Sequence, residues 1–136
     1  MKILIFISVL FLSSNVSLED EASPDPMAYS VWDNTSGSVL YIDDMREDGH
    51  FHGRYVNNAP GYDCQGVEYR VTGDFFDPLI GFSVVWKAEA ETCHTITSWT
   101  GELDGNEIRT RWRLVRYGDD GFAAYEGESV FTRRAD

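Results

Sequence analysis

Between Tyr29 and Arg133 apolar and polar residues alternate with period two, in short runs broken by Gly, Asp, Asn and Pro, and no stretch keeps a helical period. A strand turns successive side chains to opposite faces, so this pattern builds an all-β domain with one face of each strand buried. The runs are Tyr29 to Trp32, Ser38 to Asp43, His50 to Val56, Val67 to Gly73, Ile80 to Lys87, Thr95 to Leu103, Glu107 to Arg116 and Ala124 to Arg133. Asp48-Gly49 and Asp104-Gly105 mark tight hairpins, because glycine supplies the positive φ of a primed turn. Sequential strands joined by short turns predict an eight-stranded antiparallel up-and-down β-barrel rather than a Greek-key sandwich. A chain of 136 residues has room for one such domain, placed here at residues 29–136.

The segment before it has a different character. Met1-Lys2, the apolar run Ile3 to Leu12 and the small polar stretch Ser13 to Ser17 have the layout of a secretory signal peptide. Residues 1–17 are read as that signal, with Ala22 as an alternative end, and the product as secreted or periplasmic. The apolar run is too short to cross a bilayer as a helix. Residues 18–28, beginning LEDEASPDP, combine acid with proline and are expected to form a flexible acidic tail. The formal charge of -12 argues against nucleic acid or an anionic membrane as partner. In an exported protein Cys64 and Cys93 favour an oxidised pair, worth about 3–4 kcal/mol by loop closure. Free thiols or a metal pair are the alternative, although no CxxC spacing supports a metal.

The face of each run follows from its charges. In EIRTRWRLVR the side chains of Arg109, Arg111 and Arg113 go to water, which turns Trp112 and Leu114 inward. Thr95 and Thr97 share the face of Trp99; Val84 and Phe82 share that of Trp86; Gly53 and Phe51 share that of Tyr55, leaving His50, His52 and Arg54 outside. The inward face therefore mixes tryptophan with hydroxyls. A buried hydroxyl without a partner costs about 1–3 kcal/mol, so the mixture describes a cavity for a small ligand with apolar sides and a few hydrogen-bonding atoms. With His50 and His52 facing out and His94 beside Cys93 in a loop, no base and nucleophile pair is visible, and a binding protein rather than an enzyme is expected. His50-x-His52 reads as a solvated strand face, with no metal site.

These residues carry a resemblance. W-D-N-T-S-G-S at Trp32 to Ser38, G-R-Y-V-N at Gly53 to Asn57, G-F-S-V-V-W at Gly81 to Trp86, T-I-T-S-W-T-G at Thr95 to Gly101, R-W-R-L at Arg111 to Leu114 and V-F-T-R at Val130 to Arg133 resemble, in order and spacing, the biotin-binding barrels of the avidin and streptavidin family. The resemblance implies a non-catalytic, high-affinity biotin binder, with biotin as ligand and no cofactor. It implies that Asn34, Ser38 and Tyr55 donate to the ureido oxygen, that Trp86, Trp99 and Trp112 wall the ring system beside Leu114, and that Thr97 lies near the ring sulfur. Asn57, Asn58 and Thr95 would meet the valerate carboxylate. Asn34 also begins an Asn-Thr-Ser sequon, which an inward side chain would hide. Trp32 reads as structural.

Two departures from the family pattern stand out. Where an Asp or Asn accepts from a ureido N–H, E-G-E-S-V-F places Ser129, with Glu128 in the role only if the strand register shifts. Ser129 is also the best argument for the alternative reading, a lipocalin-like carrier of another small apolar ligand. At the tryptophan that tetrameric members lend across a subunit interface, D-D-G-F places Gly121, with Phe122 beside it. Y-V-N-N-A, Cys64 and Cys93 are similar to the dimeric, rhizavidin-like branch, whose disulfide ties two loops at the rim of the site. The resemblance thus implies a disulfide-linked rim and a homodimer, with higher assembly left open.

Overall fold

The computed structural model describes residues 27–61, 64–87 and 94–135. The signal segment, most of the acidic tail and Cys93 lie outside the described residues. Eight strands follow in order: β1 Ser30–Asn34, β2 Val39–Met45, β3 His50–Val56, β4 Glu68–Phe76, β5 Leu79–Trp86, β6 Thr95–Asp104, β7 Glu107–Gly118 and β8 Gly121–Arg133. Each pairs antiparallel with the next, and β1 pairs with β8 through Trp32↔Arg133 and Asn34↔Phe131, so the sheet closes into an up-and-down barrel. Closure leaves no sheet edge exposed.

The hairpins follow their turn residues. Gly49 takes φ 86° and donates its N–H to Arg46 O at 2.9 Å. Between the paired residues Asp104 and Glu107 the turn is Gly105-Asn106, so Asp104 is the last rung of the ladder rather than part of the turn. The largest departure from the sequence reading is the β7–β8 hairpin, whose ladder runs on to Tyr117↔Phe122 and Gly118↔Gly121.

Parity along the strands sets which side chains face inward, and position along them divides the interior into two ends. Trp32, Leu40, Ile42, Phe51, Val71, Ile108 and Phe131 are fully buried and fill one end. Phe82 stacks on Trp99 at 5.1 Å between centroids and meets Phe131 edge-on at 5.7 Å, joining that core to the aromatic residues above it. Met27 belongs to the same core and its carbonyl accepts from the Ser30 hydroxyl. Met27, which the sequence assigns to the acidic tail, buries its side chain against the barrel. Trp32 is structural, as expected: its indole N–H donates to Ser30 Oγ at 2.8 Å.

Outside, charge pairs bridge neighbouring strands. Arg54 on β3 makes a two-pronged contact with Asp43, 2.9 Å for each prong, and reaches Glu68 at 2.9 Å. Arg134 clasps Asp33 and, mainly through that hydrogen bond, holds its carboxyl below the usual carboxylate range. His50 and His52 face out toward Asp74 and Asp44.

Candidate functional site

Antiparallel order brings the ends of β1, β3, β5 and β7 and the starts of β2, β6 and β8 to one mouth of the barrel. There they enclose a cavity of about 410 Å³, within the usual range for a small-molecule site. The sequence-derived residues Asn34, Ser38, Tyr55, Asn57, Trp86, Thr95, Thr97, Trp99, Trp112, Leu114 and Ser129 all line it. Asn58 does not. Its side chain turns to the Gly37 carbonyl at 3.3 Å, and only its backbone N–H serves the site, donating to Ser38 Oγ at 3.0 Å.

The deep polar group is a hydrogen-bonded set of amides and hydroxyls. Asn34 Oδ1 accepts from the Ser36 N–H at 2.7 Å, so its amide nitrogen is the end left to the cavity. Ser38 Oγ donates to Asn57 Oδ1 at 3.2 Å, and the same Oδ1 accepts from the Ala59 N–H at 3.1 Å. The hydroxyls of Tyr55 and Ser38 share a hydrogen bond; burial, outweighing that bond, pushes the Tyr55 phenol up to about 12. Tyr55 therefore remains a protonated donor at any physiological pH.

Aromatic walls rise from this floor. Tyr55 stacks on Trp99 at 5.0 Å and meets Trp86 edge-on at 5.7 Å. Trp86 is fixed by its indole N–H, which donates to Thr97 Oγ1 at 2.9 Å, and by Tyr69 packed at 4.7 Å. On the other side Trp112 lies over Gly127 of β8: a Cβ there would come within 2.3 Å of the indole. Ser129 faces in, 9% exposed, while Glu128 faces out and pairs with Arg111 at 3.3 Å, so the register gives the inward place to the serine. Gly121 takes φ 88° in the hairpin with nothing within 4 Å of a Cβ position, and Phe122 is exposed.

Five lining residues lie beyond the sequence reading: Ser36, Ala59, Gly61, Arg116 and Tyr125. Ser36, Ala59 and Gly61 belong to loops, where no period assigns a face. The signal for the other two was parity, since Arg116 continues the inward series of Trp112 and Leu114, and Tyr125 that of Gly127 and Ser129. Cys64 lies half-buried at the rim, and no described cysteine is a free thiol.

Comparison with known proteins decides what kind of barrel this is. The model of the avidin family matches residues 25–134. The chain belongs to the avidin family. Among avidins, it is 35% identical to afifavidin of Afifella pfennigii over 82% of this chain and 72% of that protein. It is 31% identical to hoefavidin of Hoeflea phototrophica over 96% of this chain and 89% of that protein. The crystal structure of a rhizavidin–biotin complex superposes with a TM-score of 0.74 at 38% identity, covering 80% of this chain and 93% of that one.

Proposed function

We propose that this protein binds biotin non-covalently in the barrel cavity, with no chemical turnover. The observation that carries the reading is the pairing of the Asn34 amide and the Ser38 and Tyr55 hydroxyls with aromatic walls from Trp86, Trp99 and Trp112 around one cavity. The ureido oxygen of biotin is a polarisable acceptor; the Asn34 amide donates to it, and the Ser38 and Tyr55 hydroxyls, turned from Asn57 and from each other, stabilise its partly anionic form. In the same reading the bicyclic ring lies between the tryptophans, its sulfur near Thr97, and Asn57 and Thr95 meet the acid tail. Ser129 takes a ureido N–H. Membership of the family favours biotin over the lipid-like cargo of a lipocalin-type carrier.

The protein acts outside the cytoplasm, after removal of a signal peptide. Cys64 is joined to Cys93, which cross-links the rim and preorganises it; the chain has two cysteines, and none of those described is free. The working unit is a homodimer. An outward row of apolar residues, Val85↔Ile96↔Val115↔Ala124, runs across β5 to β8 and supports this assignment.

Thermal unfolding with and without excess biotin tests the reading. At a thousandfold excess over Kd, mass action adds about 4 kcal/mol of apparent stability. A melting temperature unmoved by biotin overturns the proposal.

A further inference from the structure

The cavity mouth holds one charged side chain among the described residues that line it: Arg116. Its position separates it from the other arginines of β7. Arg109, Arg111 and Arg113 lie on the outward parity and meet carboxylates, Arg109 with Asp104 and Glu107, Arg111 with Glu128 and Arg113 with Glu126. Arg116 lies on the inward parity, one step beyond Leu114, paired in the ladder with Thr95 on β6 and Ala123 on β8. Its guanidinium sits 5.4 Å from the ring centre of Tyr125, a residue that also lines the mouth.

That contact has a chemical consequence. A guanidinium held against an aromatic face keeps its in-plane N–H fork available, and that fork matches a carboxylate with two parallel hydrogen bonds. The other described residues at the mouth, Asn57, Ala59, Gly61, Cys64 and Thr95, are uncharged. A chain of formal charge -12 repels an approaching anion, and a cation at the entrance offsets that repulsion where the ligand enters.

We propose that Arg116, steadied by Tyr125, binds the carboxylate of the ligand's acid tail and makes the site prefer a free acid to its neutral amide. The inference rests on biotin as the ligand. A ligand whose acid has been converted to an amide loses the two-pronged ion contact while keeping everything deeper in the cavity. Biotin in the free form is then the favoured cargo, and biotin conjugated through its tail the weaker one.

The test measures Kd for biotin and for biotinamide on the wild-type protein and on Arg116→Gln, in the same moderate-salt buffer. A charge-assisted contact at a partly exposed mouth predicts biotin about tenfold weaker on Arg116→Gln and biotinamide changed by less than about twofold. Arg116→Lys, which keeps the charge but not the fork, falls between the two for biotin. Equal weakening of both ligands, or no change in either, overturns the role of Arg116. Failure of the wild-type protein to bind either ligand instead overturns biotin as the ligand, and this inference with it.

Discussion

Ser129 and Tyr55 show how much a single side chain decides in this cavity. Ser129 offers a neutral acceptor, worth about 0.5–1.5 kcal/mol, against about 1.5–3 kcal/mol for a charged one. Ser129→Asp is therefore expected to tighten biotin about tenfold by titration, while lowering the melting temperature of the ligand-free protein, since a carboxylate facing the cavity is desolvated. Weaker binding would show that the serine is fitted to its own surroundings. Tyr55 gives a pH signature. Its phenol ionises at 10.0 when unperturbed and is pushed up to about 12 in the fold, so the folded state holds the proton that the unfolded chain releases. Stability is thus fully present below pH 10 and falls as pH rises through about 12, a loss of about 2–3 kcal/mol that Tyr55→Phe removes from the unfolding profile. An identical alkaline profile for Tyr55→Phe contradicts this. Tyr55, Trp99 and Thr97 were legible from parity alone. Arg116 was not, because a terminal arginine reads as solvated, and a mouth is the one place where an inward charge still reaches water.

At the level of elements, the β7–β8 pair positions one wall of the site. Trp112 stands opposite Gly127, and the bare backbone lets the indole lie over the neighbouring strand. Gly127→Ala places a methyl 2.3 Å from that ring and forces it to tilt. The expected outcome is biotin binding weakened about tenfold or more, with a stability cost of about 1–3 kcal/mol. Unchanged affinity would mean that Trp112 is not a wall. The strands themselves were readable because polar or charged residues alternate with apolar ones in β3, β4 and β7; β3 has the bounds expected, His50–Val56. The end of β7 and start of β8 were hidden by Gly118-Asp119-Asp120-Gly121, a cluster that reads as a long loop but forms a two-residue connection between long strands. Asn58 was hidden for a related reason: past the end of a strand, parity no longer assigns a face.

In the whole molecule, closure of the barrel separates a packed end from a binding end, and the outer surface of β5 to β8 carries the apolar row on which the proposed dimer rests. Val85 and Ile96 are 46% and 44% exposed in the middle of the outward apolar row. Ile96→Glu, by burying a charge in the proposed interface, is expected to cost about 2 kcal/mol or more of association and to shift the dimer to monomer by light scattering. A wild-type monomer, or a dimer indifferent to the glutamate, contradicts that assignment. The closed eight-stranded architecture was legible because short alternating runs joined by brief turns leave few topologies open. The outward apolar row was not, since outward valine and isoleucine are ordinary in any single strand and form a row only once the register is known.

Calorimetric titration of biotin into the protein tests the central claim most directly. One biotin bound per chain, with submicromolar affinity weakened about tenfold or more by Tyr55→Phe, is the result predicted. No saturable heat, or a binding curve that Tyr55→Phe leaves untouched, would contradict it.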